Sequence, residues 1–235
     1  MNISLKNLTK KYDNQLVLDD VNLEIENMGA IGVIGESGCG KSTLLRLLTG
    51  IETPDNGEII VNGLSPINNR IEFQEKIGVV FQKHNLFPHL TLKENISLIL
   101  RKTKKLDKTT ADAEALELLK RLFIDSEADK KPSQVSGGQA QRASISRALS
   151  TKPELIFLDE PTAALDPILT KEVLKAVTQL KNDGIKFVFV THEISFLKEF
   201  ADYIIFFKNG KVCEHGEVAC LKNPQTEELK AFLHI

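Results

Sequence analysis

The sequence predicts an α/β protein: a mostly parallel sheet, an antiparallel β subdomain near its start, and a helical insertion. Three observations predict this. Short apolar runs rich in β formers, Ile31–Ile34, Ile77–Phe81, Leu155–Leu158, Phe187–Val190 and Tyr203–Phe207, read as buried strands. Helix-length segments lie between several of them, among them Ser42–Leu48, Pro167–Leu180 and Ile194–Phe200, which is the pattern of parallel strands covered by helices. Residues 3–25 and 57–63 alternate instead like antiparallel strands, and Asn62-Gly63 marks a turn. Residues 91–150 carry no strand pattern; Leu92–Leu100, Thr110–Phe123 and Gln139–Leu149 have helical periodicity. The expected organisation is one domain over residues 1–235. Residues 1–90 and 151–235 form its α/β core with the antiparallel subdomain, and 91–150 form a helical subdomain.

Composition narrows the class. Among 235 residues, Lys plus Arg is 30 and Asp plus Glu is 32, a formal charge of −2. So balanced a chain has no global attraction for nucleic acid or anionic lipid. The longest unbroken hydrophobic run is Tyr203–Phe207, far short of the about 20 residues a spanning helix needs. The N-terminus lacks the basic and apolar regions of a secretory signal. Cys39, Cys213 and Cys220 form no C-x-x-C pair and read as free thiols in a reducing cytoplasm. The basic run Arg101–Lys105 reads as a solvated helix end and loop.

The first chemical signal is Gly35-Glu36-Ser37-Gly38-Cys39-Gly40-Lys41-Ser42-Thr43. It follows an apolar strand and opens a helical run, the context a P-loop requires. Its glycines let successive backbone N–H groups curl around phosphate oxygens, and the helix N-terminus adds positive potential. Gly35, Ser37, Gly38, Cys39, Gly40, Lys41, Ser42 and Thr43 are the expected nucleotide-binding set, Cys39 by its place in the loop alone. Lys41 would reach the β- and γ-phosphates, and the Ser42 hydroxyl would ligate Mg²⁺.

The second signal is the strand Leu155–Leu158 with Asp159 and Glu160 at its C-terminal end, the edge where open α/β sheets bind ligands. Asp159 fits a Mg²⁺ ligand and Glu160 a general base for water. Gln82 and His192 follow two other strands and so share that edge. Gln82 can ligate Mg²⁺ or orient water, and His192 can hydrogen-bond a γ-phosphate. His84, His89, His215 and His234 read as surface residues. The third signal is Ser136-Gly137-Gly138-Gln139 at the start of a helix, a second anion site. One nucleotide does not need two such sites in one chain. Two chains arranged head to tail would use both, each turn capping the γ-phosphate held by its twin.

In this order the motifs resemble those of the nucleotide-binding subunit of ABC transporters, over essentially the whole chain. The resemblance rests on the P-loop, the Gln82 loop, the Ser136–Gln139 signature, Asp159-Glu160, Ala164-Leu165-Asp166 and His192. It implies the ABC ATPase fold. It places Tyr12 where the family stacks an aromatic on adenine, a contact worth roughly 1–3 kcal/mol by analogy with base stacking. Two positions depart from the family pattern: Val135 stands where leucine is usual, and Ala163 where serine is common. A narrower resemblance, to the polar amino acid uptake group, rests on Phe81–Thr91, Thr191-His192-Glu193 and Asn223–Leu233. Lipoprotein-releasing, macrolide-export and cell-division ATPases share much of the rest.

The resemblance implies ATP hydrolysis with Mg²⁺, by a homodimer at the cytoplasmic face of the inner membrane. Its expected partners are an integral membrane permease and, indirectly, an extracytoplasmic solute-binding protein, with no nucleic acid. Residues from about Lys83 to Pro88 would line the groove for the permease. No appended regulatory domain is expected beyond the core. A DNA-maintenance relative would carry a long coiled coil between Gln82 and Ser136, where no sustained heptad occurs.

Overall fold

A computed structural model describes residues 1–13, 15–163 and 165–234. Ala164, the first residue of the expected Ala164–Asp166 motif, lies outside the described residues. In chain order the elements are β1 (Ile3–Tyr12), β2 (Gln15–Ile25), β3 (Ala30–Gly35), α1 (Lys41–Leu48), β4 (Asn56–Val61), α2 (Arg70–Lys76), β5 (Ile77–Val80), α3 (Leu92–Thr103), α4 (Lys108–Arg121), α5 (Gly137–Leu149), β6 (Leu155–Asp159), α6 (Pro167–Asn182), β7 (Lys186–Val190), α7 (Ile194–Phe200), β8 (Tyr203–Lys208), β9 (Lys211–Glu217) and α8 (Glu227–Leu233). Contacts group them into two units, residues 1–75 with 186–235, and residues 76–185.

In the first unit, β1 pairs antiparallel with both β2 and β4. The apolar alternation of β1 breaks between Leu5 and Leu8, where the pairing slips by a bulge. Asn7 occupies the extra position at φ 48°, and its amide side chain donates to Asp20 at 2.9 Å. The second sheet of this unit runs β7-β3-β8-β9, parallel except for β9. Every residue of β3 is buried, as expected of a strand covered on both faces. Phe187 and Phe189 of β7 meet Phe196 and Phe200 of α7 with ring centroids 5.1–5.5 Å apart. That apolar contact holds α7 on the sheet.

In the second unit, β5 and β6 pair in parallel and carry α3 to α6. Each helix start is capped by its own sequence. Thr91 and Glu94 form a capping box on α3, Asp107 accepts from Thr110 N on α4, and Asp166 accepts from Ile168 N and Leu169 N on α6, with Pro167 in the first turn.

The helices expected within 91–150 appear as α3, α4 and α5. The strand expected over Ile77–Phe81 stops at Val80, so Phe81 already belongs to the loop that follows. Three elements had not been anticipated: α2, β9 and α8. Each is short and buries one residue, Phe73 in α2, Glu214 in β9 and Leu229 in α8; α2 is mostly exposed, and β9 and α8 are partly so. The signal for β9 was present as Asn209-Gly210, a two-residue hairpin turn with φ 49° and 76°. Among the described residues no helix is long and apolar enough to cross a membrane.

The chain after β9 is held by the buried Glu214. Its carboxylate accepts from Gln225 N (3.0 Å), Thr226 N (2.8 Å) and the Thr226 hydroxyl (2.6 Å). Burial pushes this carboxyl up, but the hydrogen bonds outweigh burial and hold it below the usual carboxylate range. A depressed pKa contributes stability that is present above the unfolded value and lost as pH falls through the folded one. Glu214→Gln is expected to cost about 1–3 kcal/mol at neutral pH. It should also flatten the loss of stability below roughly pH 4. Urea titrations at neutral and acid pH measure both.

Candidate nucleotide site

The P-loop spans the end of β3 and the start of α1. Gly40 is the N-cap at φ 110°, a left-handed conformation that glycine adopts without strain. Leu44 N bonds Gly40 O at 2.9 Å, so the amides of the preceding first turn have no acceptor within the helix. Ser37 and Gly38 lie exposed on the loop, whereas Lys41 and Thr43 are buried. The Lys41 ammonium donates to the carbonyls of Gly35 (2.9 Å) and Glu36 (2.7 Å), bracing the loop from inside. Cys39 Sγ lies 3.8 Å from Lys41 Nζ; burial pushes the thiol pKa up, and the ammonium opposes the rise.

Tyr12 ends β1 with its hydroxyl hydrogen-bonded to the Glu52 carboxylate and the Lys10 ammonium 5.4 Å from its ring centroid. Burial raises its phenol pKa, the Glu52 carboxylate adds to the rise, and Thr43 and Arg46 of α1 oppose it. The ring therefore stands beside α1. His192 follows β7, the strand next to β3 in register Val33↔Val190. Thr191 N bonds Val33 O at 3.2 Å, and Glu193 N bonds the Thr191 hydroxyl at 3.0 Å. His192 and the P-loop thus emerge from the same end of adjacent strands. His192 also borders a cavity of about 420 Å³ shared with Ile194, Lys198, Phe232 and Leu233.

In the second unit, parallel pairing of Val80 with Leu158 brings two sequence-distant groups together. Gln82 Nε2 donates to Glu160 Oε2 at 3.0 Å. Asp159 is the last residue of β6, and Glu160 turns the chain at φ 47°. A non-glycine residue in that region costs about 1–3 kcal/mol, which the surrounding structure must offset.

The loop after Gln82 is tied to the helices by residues the motif reading had missed. Buried Asn95 accepts from Phe87 N at 2.7 Å and donates to Thr91 O at 2.9 Å. The Ser144 hydroxyl donates to His84 O at 2.9 Å, and Arg147 donates to Asn85 O at 2.6 Å and His84 O at 3.2 Å. Two histidines expected at the surface have structural contacts. His84 is half-buried, which pushes its pKa down, and His215 Nδ1 lies 2.6 Å from the Tyr203 hydroxyl.

The Ser136 turn is a capping box. Gln139 N donates to the Ser136 hydroxyl at 3.2 Å, and Ser136 N donates to the Gln139 side chain at 2.9 Å. The serine oxygen accepts in this bond, so its O–H can still donate outward. Neither Gly137 nor Gly138 has positive φ. Their reason is space: a Cβ at Gly137 would lie 3.0 Å from a Leu165 methyl, and one at Gly138 3.1 Å from Leu169 Cβ. Arg142, also unforeseen, locks the turn from behind, pairing with Glu172 at 2.7 Å and donating to Leu122 O at 3.2 Å.

A strand–glycine loop–helix cradle, acidic groups ending a parallel strand, and a second glycine turn define a P-loop nucleoside triphosphatase. Comparison with known proteins gives the family. The sequence profile described as ABC transporter matches residues 18–163. The arginine transport ATP-binding protein ArtP of Haemophilus influenzae is 39% identical over 241 residues, 99% of each chain. The glutamate/aspartate import ATP-binding protein GltL of Escherichia coli K12 is 40% identical over 235 residues, 98% of each. A solved ATP-binding cassette, dimeric and bound to ADP and Pi after hydrolysis, superposes with TM-score 0.82 at 34% identity, covering 92% of this chain and 98% of that one. The chain belongs to the ABC transporter family, binds ATP and is its ATPase.

The packing under the signature turn sets an order of sensitivity. Gly138→Val is expected to destabilise the fold by about 1–3 kcal/mol through overpacking against Leu169. Gly137→Val should cost less, since Gly137 is exposed and faces one movable methyl. Urea denaturation of the two variants measures the difference.

Proposed function

We propose that this chain is the ATP-hydrolysing subunit of an uptake system for a polar amino acid, acting at the cytoplasmic face of the inner membrane. In this reading two copies close head to tail around two ATP. A separate membrane permease and an extracytoplasmic solute-binding protein complete the system. The observation that carries the dimer is the presence of two anion-ready helix starts, at Gly40 and Ser136, in one chain. One triphosphate bridged between copies uses both. Support for the solute class comes from the relatives, whose names specify arginine and glutamate/aspartate.

Lys41 and the amides of residues 35–43 bind the phosphates, and Tyr12 stacks on the base. Ser136, Gly137, Gly138 and Gln139 of the twin close the γ-phosphate. Among the described residues no three His, Cys, Asp or Glu side chains gather as a metal site. The chemistry of the donors still fits Mg²⁺ arriving with the nucleotide, because Mg²⁺ keeps phosphate and water ligands and needs few from protein. Ser42, Asp159 and Gln82 would hold it, and it would neutralise phosphate charge. Glu160 accepts a proton from the attacking water, Gln82 orients that carboxylate, and His192 donates to the γ-phosphate. The helices α3 to α5 act as the helical subdomain within 91–150. The loop from Lys83 to Pro88, tethered by Asn95, Ser144 and Arg147, passes changes at Gln82 to the permease.

Two variants test this reading. Lys41→Ala is expected to cut ATP turnover by at least about 100-fold, measured by phosphate release. Retained turnover would refute the P-loop assignment. Glu160→Gln should bind ATP without hydrolysing it and accumulate as a dimer by size-exclusion chromatography with light scattering. A persistent monomer in excess ATP would count against the head-to-tail dimer.

A further inference from the structure

We infer that Gly210, in the turn between β8 and β9, is a positioning residue for phosphate binding, acting through the backbone of the P-loop. The inference deepens the P-loop reading above and rests on it. Gly210 N donates to Cys39 O at 3.1 Å, and Asp19 N donates to Gly210 O at 3.0 Å. One residue therefore links β2 to the P-loop. The peptide between Cys39 and Gly40 is trans, so its carbonyl and its N–H point in opposite directions. Holding the carbonyl toward the hairpin turns the Gly40 N–H to the other side, away from the hairpin, where it would meet a phosphate held by the loop. The hydrogen bond fixes the direction of a phosphate-binding donor it never touches.

Sterics make the position exacting. Gly210 has φ 76°, and a Cβ there would lie 2.5 Å from Val17 O. The same strand and hairpin back the loop elsewhere. A Cβ at Gly40 would lie 2.9 Å from Val17 O, and one at Gly35 2.1 Å from Phe207 O. A side chain at 210 would thus push β2 and the β8–β9 turn apart.

The test replaces the Gly210 amide by an ester, incorporating glycolic acid at that position in the full chain. This deletes the N–H and keeps the shape. Mg·ADP is titrated while the Gly40 amide proton is followed by NMR. The expected result is about tenfold weaker ADP binding and a diminished ADP-induced shift at Gly40, with thermal unfolding still a single transition. Lys211→Ala, which breaks the adjacent Lys211–Asp19 ion pair (2.9 Å) and keeps the amide, should bind ADP as the wild type does. Wild-type affinity and a wild-type Gly40 shift in the ester protein would overturn the inference. An equal loss in Lys211→Ala would do the same, because it would mark a general weakening of the hairpin. If the Gly40 amide of the wild type did not respond to ADP, the P-loop reading itself would fall.

Discussion

A helix leaves amides of its first turn without acceptors inside the helix, and the proposed chemistry of this chain depends on two such turns, at α1 and α5. A phosphate group is the natural occupant of that position, since it offers several acceptors and meets the positive end of the helix dipole. At α1 the turn is entered through glycines and braced by Lys41. At α5 it is entered through a serine capping box and buttressed by leucines. The scaffold holds each turn in place.

The two turns are held by different physics. The P-loop is positioned by backbone: a fully buried strand leads into it, and the carbonyls of β2 and β8 approach too closely for side chains. The signature turn is positioned by side chains. Leu165 and Leu169 fill the space beneath its glycines, and Arg142 links its helix to Leu122, just past the end of α4, and to α6. Glycine thus serves two purposes in one protein, permitting a left-handed cap at Gly40 and a close approach at Gly138.

The loop after β5 joins chemistry to mechanics. Gln82 contacts the carboxylate assigned to water activation, while the residues just beyond it are bound to α3 and α5. All of those ties end on backbone carbonyls or amides of the loop. Arg147 is half-buried there with two carbonyls as acceptors, and that burial pushes its pKa down. The loop is thereby fastened to α3 and α5 through its backbone.

Much of this was legible in the sequence because it is encoded locally. The apolar runs at Ile31–Ile34 and Phe187–Val190, the P-loop spacing, and the helix-opening turn Ser136–Gln139 depend on neighbours a few residues away. Periodicity and capping chemistry therefore reveal them. Weakly patterned pieces such as α2, β9 and α8 did not declare themselves, since a short segment with one buried residue leaves no stripe. Only tertiary structure decided the contacts between distant residues: Gln82 with Glu160, Asn95 with the loop before it, Leu169 under Gly138, and Gly210 on Cys39. Each arises from strand pairing or close packing, which brings together positions that no local spacing relates. Sequence alone determined which residues could carry the chemistry, because donor type and helix position are local properties. The fold determined what holds them in place, because rigidity comes from neighbours in space.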